Sequence, residues 1–171
     1  EFVKIEGIEW IRMHYAYPSK FPLDIIHAIK KHPKVCNYLD MPLQHASDKM
    51  LDSMRRQITK KEMLDLIHEI KSILPDICLR TTLIAGYPGE TKKDIQEVKD
   101  FLAEVRFDRV GVFTYSHEEN TSAHDLKDNV SAKEKERRAQ EIMDFQQDIS
   151  YEKNLEKVGQ TLKVIIDKKE A

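Results

Sequence analysis

Ile77-Cys78-Leu79-Arg80-Thr81-Thr82-Leu83-Ile84-Ala85-Gly86-Tyr87-Pro88-Gly89-Glu90-Thr91 passes from an apolar, β-branched run through a tight loop to a helix cap. Ile77 to Ala85 has the composition of a strand, and Gly86 to Glu90 that of a turn. Thr91 then opens a helix carrying Ile95, Val98, Leu102 and Val105. The same unit recurs upstream. Ile8 to Ala16 reads as a strand stopping at Tyr17-Pro18, and Phe21, Ile25, Ile26 and Ile29 recur at helical spacing until His32-Pro33. Val35 to Leu43 is an apolar run broken by Asp40 and Pro42, followed by a short helix capped by Ser47 or Asp48. Thr59-Lys60-Lys61-Glu62 forms a capping box, and the helix it opens carries Met63, Leu66, Ile67, Ile70, Ile73 and Leu74 on one face.

Downstream, Arg109 to Ser116 reads as a strand and His117 to Val130 as a polar loop. Ser131-Ala132-Lys133-Glu134 is a second capping box, opening a long helix to about Val158. Its apolar positions are sparse (Ile142, Phe145, Ile149), which places it on an outer surface. Alternation of this kind predicts an α/β fold with parallel strands and right-handed crossovers. The short apolar runs suit strands covered on both faces. An open Rossmann-like sheet and a β/α barrel are both allowed, although no G-x-G-x-x-G follows any strand. After the turn Val158-Gly159-Gln160, Thr161 to Asp167 reads as a further strand belonging to a separate small β module.

The chain has 171 residues and a mass of 20.1 kDa, enough for one domain with a sizeable core. With 28 Lys and Arg against 30 Asp and Glu, the formal net charge of -2 excludes a strongly basic nucleic-acid module. No apolar run approaches the ~18–20 residues of a membrane helix. Two cysteines, Cys36 and Cys78, make no disulfide framework and no zinc spacing, so a reduced cytoplasmic setting is expected. Glu1 in place of an initiator Met, and an end straight after a strand-like run, suggest a piece of a longer protein.

In either candidate architecture, function sits at the carboxyl ends of the strands. There the chain places His14 to Pro18, Met41 to Ser47, the Gly86–Glu90 loop and Phe113 to His117. Two of the chain's 5 glycines fall in the Gly86–Glu90 loop, which would let backbone approach a flat ligand or simply make a turn. Gln44 can hydrogen-bond ribose or amide groups, and His45 can act as base or donor unless both are solvated loop residues. Arg80 alternates with Thr82 and Ile84 in an otherwise apolar strand. It must bind a carboxylate ligand or a structural partner. His14, His45 and His117 could meet at one rim and hold a metal, but no i, i+4 His pair supports this. Lys49, Arg55, Arg56, Lys60 and Lys61 could meet RNA or an acidic protein, or form a solvated face.

Three stretches together carry a family resemblance. Tyr38-Leu39-Asp40-Met41-Pro42-Leu43-Gln44-His45-Ala46-Ser47-Asp48, with Met54-Arg55-Arg56 downstream, resembles a signature of the radical-SAM methylthiotransferases. Thr81 to Thr91, and Val110 to Ser116 followed by Thr121 and Ala123, are similar to that family's next two motifs. Gly159 through Asp167 resembles the opening of its C-terminal TRAM module. The resemblance implies a partial parallel β/α barrel of the radical-SAM type, the later four β/α units, over residues 1–158. It implies the start of the TRAM-like module over 159–171.

Gln44-His45-Ala46-Ser47-Asp48 is similar to the RimO branch, which methylthiolates the β-carbon of an aspartate in a small-subunit ribosomal protein. The tRNA-modifying MiaB branch usually has Ser-Gly where His45-Ala46 stand, and tends to carry Arg where His117-Glu118-Glu119 stand. The resemblance implies reductive cleavage of S-adenosylmethionine at a [4Fe–4S] cluster, fed by an electron donor, and hydrogen abstraction from an unactivated C–H bond. Sulfur insertion follows, with the methyl group from another S-adenosylmethionine. By matching positions, Gln44, Arg80, Thr82, Ile84, Ala85, Gly86, Phe113 and Thr114 would bind S-adenosylmethionine, with Gln44 on its ribose or amino-acid part. Tyr17, His45, Glu118 and Glu119 would face the substrate, and no metal ligand is assigned. The family's C-x-x-x-C-x-x-C motif cannot be made from Cys36 and Cys78, which implies that it lies before Glu1 and that this chain alone is inactive.

Overall fold

The structure is a computed structural model, and it describes residues 1–165. Four strands, β1 (Ile11–Met13), β2 (Val35–Asp40), β3 (Cys78–Ala85) and β4 (Arg109–Thr114), form one parallel sheet in the order β1-β2-β3-β4. Between them run α1 (Asp24–Lys31), α2 (Asp48–Ser53), α3 (Lys60–Ile73) and α4 (Lys92–Val105), and α5 (Ala132–Leu155) follows β4. Strand order never reverses. Right-handed crossovers therefore stack every helix on the same face, the winding of a β/α barrel and not of a doubly wound Rossmann sheet.

Burial alternates strictly along β3. Leu79, Thr81, Leu83 and Ala85 are buried, whereas Cys78, Arg80, Thr82 and Ile84 are only partly covered. The covered face joins Leu39, Leu79, Leu83 and Ala85 to Ile26 and Ile29 of α1, Met63, Ile67 and Ile70 of α3, and Ile95, Val98, Phe101 and Leu102 of α4. The expectation of strands covered on both faces is thus corrected. One face is packed by helices, and the other carries a polar row that helices could not bury without leaving charges unmatched.

Local signals explain the helix starts. Thr59 and Glu62 make the expected reciprocal capping box on α3. Thr91 and Asp94 make a second one on α4. At α5 only half of the expected box forms. Ser131 Oγ accepts from the Glu134 N–H, but the Glu134 carboxylate turns to Arg137 and Arg138 instead. The expectation of a merely superficial α5 also needs correction. Lys135, Arg138, Ile142, Gln146 and Ile149, spaced by three or four residues, form a buried stripe against the sheet. Its polar members satisfy loop groups: Gln146 Nε2 donates to the Phe107 carbonyl and Arg138 Nη1 to the Glu90 carbonyl, and one turn beyond the stripe Lys153 Nζ reaches the Arg106 carbonyl and the Asp108 carboxylate.

Past α5, residues 160–165 form no strand, and the rest of the expected Thr161–Asp167 strand, Ile166 and Asp167, lies outside the described residues. A strand needs a paired neighbour, and 161–165 have none among the described residues. Lys163 instead pairs with Glu9 at 2.8 Å and lies over the Trp10 ring.

Candidate functional site

The barrel-type winding puts the open face of the sheet, near the strand carboxyl ends, where a ligand would bind. Register sets Asp40 beside Arg80, Thr82 beside Gly111 and Ile84 beside Phe113. Arg80 Nη1 donates to Asp40 Oδ1 at 2.8 Å. His14 Nδ1 lies 3.4 Å from Asp40 Oδ2, and Arg12 Nε donates to His14 Nε2 at 3.1 Å. Because Nε2 accepts, Nδ1 carries the ring proton and donates to Asp40. A row Arg12–His14–Asp40–Arg80 therefore crosses β1, β2 and β3. Arg12 and Asp40 are the members that sequence reasoning left unassigned, and Asp40 is the one that joins the strands. Its signal was present: a lone carboxylate between Leu39 and Met41, at a strand end.

Of the two readings of Arg80, the structural partner is present in Asp40. Arg80 nevertheless stands on the open face, and among the described residues its remaining nitrogens take no protein acceptor. A Cβ placed on Gly111 would lie 3.7 Å from Arg80 Nη2 and 3.9 Å from Thr82 Oγ1. The missing side chain thus leaves a shallow step between a cation and a hydroxyl. Further along, Ile84 and Phe113 offer an apolar surface, with Phe113 61% exposed. Thr114 is exposed at the end of β4. Gln44 adds the rim. Its N–H donates to the Thr82 carbonyl and its carbonyl accepts from the Ile84 N–H, at a φ of 76° that a non-glycine residue adopts only under strain.

Not every expected residue faces this surface. Ala85 is fully buried on the helix side, and its carbonyl accepts from the Tyr115 N–H. Gly86, at φ 82°, gives its N–H to Glu90. Its missing Cβ makes room for Lys135 of α5, whose Cα would lie 3.1 Å away, and not for a ligand. His45 also departs from expectation. It is 1% exposed, so neither a solvated loop residue nor one able to touch a substrate. Its Nδ1 accepts from the Ala46 and Ser47 N–H groups, leaving Nε2 to donate to Glu90. The ring thereby caps the approach to α2, while the Ser47 hydroxyl donates to Asp94. The three-histidine rim does not form, because His14 is held by Asp40, His45 by Glu90, and His117 stacks on His124 at 4.7 Å.

Tyr17, Glu118 and Glu119 remain exposed at the strand carboxyl ends. Tyr17 donates to the Arg56 carbonyl, and its ring lies under the Arg56 guanidinium. Burial draws the Arg56 pKa down, and the guanidinium also donates to the Pro42 carbonyl.

Asp94 ties α2 to α4. Burial pushes its carboxyl up. Hydrogen bonds from the Thr91 hydroxyl, the Ser47 hydroxyl and the Thr91 N–H, with the charge of Lys49, outweigh that and hold it at about 2, against an ordinary 3.8. A depressed carboxylate stabilises the fold above its unfolded pKa and loses that contribution as pH falls through the folded one. Acid unfolding curves should therefore show a contribution of about 2 kcal/mol disappearing between pH 3.8 and about 2. Asp94→Asn should flatten that segment. A variant as acid-sensitive as the parent would show that Asp94 is not the group responsible.

A family model, the Radical SAM superfamily, matches residues 1–102. The chain belongs to the radical SAM superfamily. It is 54% identical over 168 residues to the ribosomal protein uS12 methylthiotransferase RimO of Christiangramia forsetii, covering 98% of this chain and 37% of that protein. The identically named protein of Chlorobaculum tepidum is 52% identical over 162 residues, covering 95% and 37%. That of Desulfitobacterium hafniense is 49% identical over 167 residues, covering 98% and 38%. The chain thus spans well under half the length of these relatives. The solved coproporphyrinogen III oxidase HemN of Escherichia coli, described as a radical SAM enzyme, superposes with a TM-score of 0.64 at 22% identity, over 81% of this chain and 32% of that one. At that identity the likeness speaks for the fold, a partial radical SAM barrel.

The open face fits the superfamily's S-adenosylmethionine. An amino-acid carboxylate could meet Arg80, polar groups could meet Thr82 and Gln44, and a flat ring could rest on Ile84 and Phe113. The iron–sulfur cluster is not fitted by this chain's own donors. Its two cysteines stand in separate strands, and among the described residues no group of three or more His, Cys, Asp or Glu could hold a metal ion. Among the described residues no helix is long and apolar enough to cross a membrane.

Proposed function

We propose that this chain is the cofactor-binding part of a methylthiotransferase that modifies an aspartate β-carbon in ribosomal protein uS12. The observation that carries the reading is identity of about half over nearly the whole chain to several proteins of that name. S-adenosylmethionine and a [4Fe–4S] cluster, the latter on ligands outside this chain, would supply one-electron chemistry at an unactivated C–H bond. Residues 1–158 belong to the barrel in this reading, and 159–171 open a TRAM-like module. Without the cluster ligands the chain alone would be inactive, and the whole protein would draw on a cytoplasmic electron donor.

The chain's own residues orient the cofactor. Arg80 takes its carboxylate, Thr82 and Gln44 its polar groups, and Ile84 with Phe113 and Thr114 its ring, while Ala85 and Gly86 shape the loop behind. On the substrate side, Tyr17, Glu118 and Glu119 stand exposed at the same end. Adjacent carboxylates repel an RNA backbone and attract a basic ribosomal protein. His45, buried against Glu90, helps hold the Gly86–Glu90 loop and does not itself meet the substrate in this reading.

The test is a strain deleted for the parent gene and complemented with it. Intact-mass analysis should show the methylthio increment restored on uS12, with tRNA unchanged. Restoration on tRNA alone would replace the reading with a tRNA-modifying enzyme, and restoration on neither would leave a binding module without this catalysis.

A further inference from the structure

Asp40 ends β2 with its carboxylate almost wholly buried, 1% exposed, although its two partners on the open face are reached by water. A buried carboxylate persists only where its oxygens are matched. Here each oxygen takes one strand's side chain: Oδ1 accepts from Arg80 of β3, and Oδ2 from His14 just past β1. The brace reaches one step further, because His14 Nε2 is itself held by Arg12. Among the described residues Arg80 is thereby gripped by Nη1 alone, with Nη2 turned to the step at Gly111 and Thr82.

We propose that Asp40 is a positioning residue that holds the Arg80 guanidinium in the orientation needed to receive the cofactor's carboxylate. The inference rests on the reading of Arg80 as that carboxylate's partner. A free Arg side chain must surrender its rotamer freedom on binding, and one already fixed surrenders little. Asp40 would act against its own charge in doing so, because a carboxylate near an incoming carboxylate repels it. The two possible roles therefore differ in sign: removing the charge favours cofactor binding, whereas releasing Arg80 weakens it.

Equilibrium dialysis of S-adenosylmethionine against the full-length, cluster-loaded protein reads that sign. Asp40→Asn should bind about 3- to 10-fold more weakly, the cost of immobilising one long side chain. Asp40→Glu keeps the charge but moves the carboxylate by one methylene, and should also bind more weakly. On an Arg80→Ala background, Asp40→Asn should cause no further loss, because the side chain it positions is gone and only the relief of charge repulsion is left. The ¹⁵N resonance of Arg80 Nε should broaden in Asp40→Asn, which a general loss of stability would not confine to this one guanidinium. Unchanged or tighter binding in both single variants, or an equal loss on the Arg80→Ala background, would overturn the proposal. Normal binding by Arg80→Ala itself would instead sink the reading on which the proposal rests.

Discussion

Arg138→Ala should lower the stability of the fold by about 3–5 kcal/mol, the usual consequence of leaving half of a buried ion pair behind. Glu90 is the group left. Its side chain is 0% exposed, and Oε1 accepts from Arg138 Nη1 at 2.8 Å and from the Gly86 N–H at 2.9 Å. Oε2 faces the Nε2 of buried His45, and Arg138 also serves the Glu90 carbonyl at 3.0 Å. Three segments meet here: the β2–α2 loop, the β3–α4 loop and the buried stripe of α5. The penalty comes from the stranded charge, so Glu90→Gln combined with Arg138→Met should be less damaging than Arg138→Met alone. Urea unfolding of Arg138→Met, Glu90→Gln and the double variant checks this, and additive losses would contradict the charge argument.

Arg80→Ala should weaken S-adenosylmethionine binding by about 1.5–3 kcal/mol, the scale of a hydrogen bond to a charged group. The unfolding midpoint should also fall, because Asp40 Oδ1 loses its partner, but by less than in Arg138→Ala, because Arg80 is a third exposed and Asp40 keeps His14. A binding isotherm and a melting curve on the same protein separate the two. Loss of stability without loss of affinity would make Arg80 purely structural. Arg80→Lys should not restore full affinity, because a single ammonium cannot hold Asp40 and a second carboxylate in the fixed geometry of a guanidinium.

Local chemistry was legible in the sequence, and long-range pairing was not. The Thr59 capping box and the alternation of Arg80, Thr82 and Ile84 depend only on near neighbours, and both are present as read. The Asp40–Arg80 pair depends on two strands 40 residues apart meeting in one register. No periodicity within either segment encodes that meeting. His45 was misassigned for the same reason, since its buried partner is Glu90, 45 residues on. The buried stripe of α5 was hidden differently. Lys135, Arg138 and Gln146 keep helical spacing with Ile142 and Ile149, but a pattern that scores only apolar residues overlooks long polar side chains serving buried loop groups. Barrel and Rossmann windings stayed open in the sequence because both alternate strand and helix. Only the unreversed strand order separates them.

A crystal structure of the full-length protein with S-adenosylmethionine bound tests most directly whether the helix-free face of this sheet holds the cofactor. The carboxylate should lie within hydrogen-bond distance of the Arg80 guanidinium, with that guanidinium still on Asp40. The ring should lie against Ile84 and Phe113. S-adenosylmethionine seated elsewhere, with Arg80 engaged by Asp40 alone, would contradict that placement.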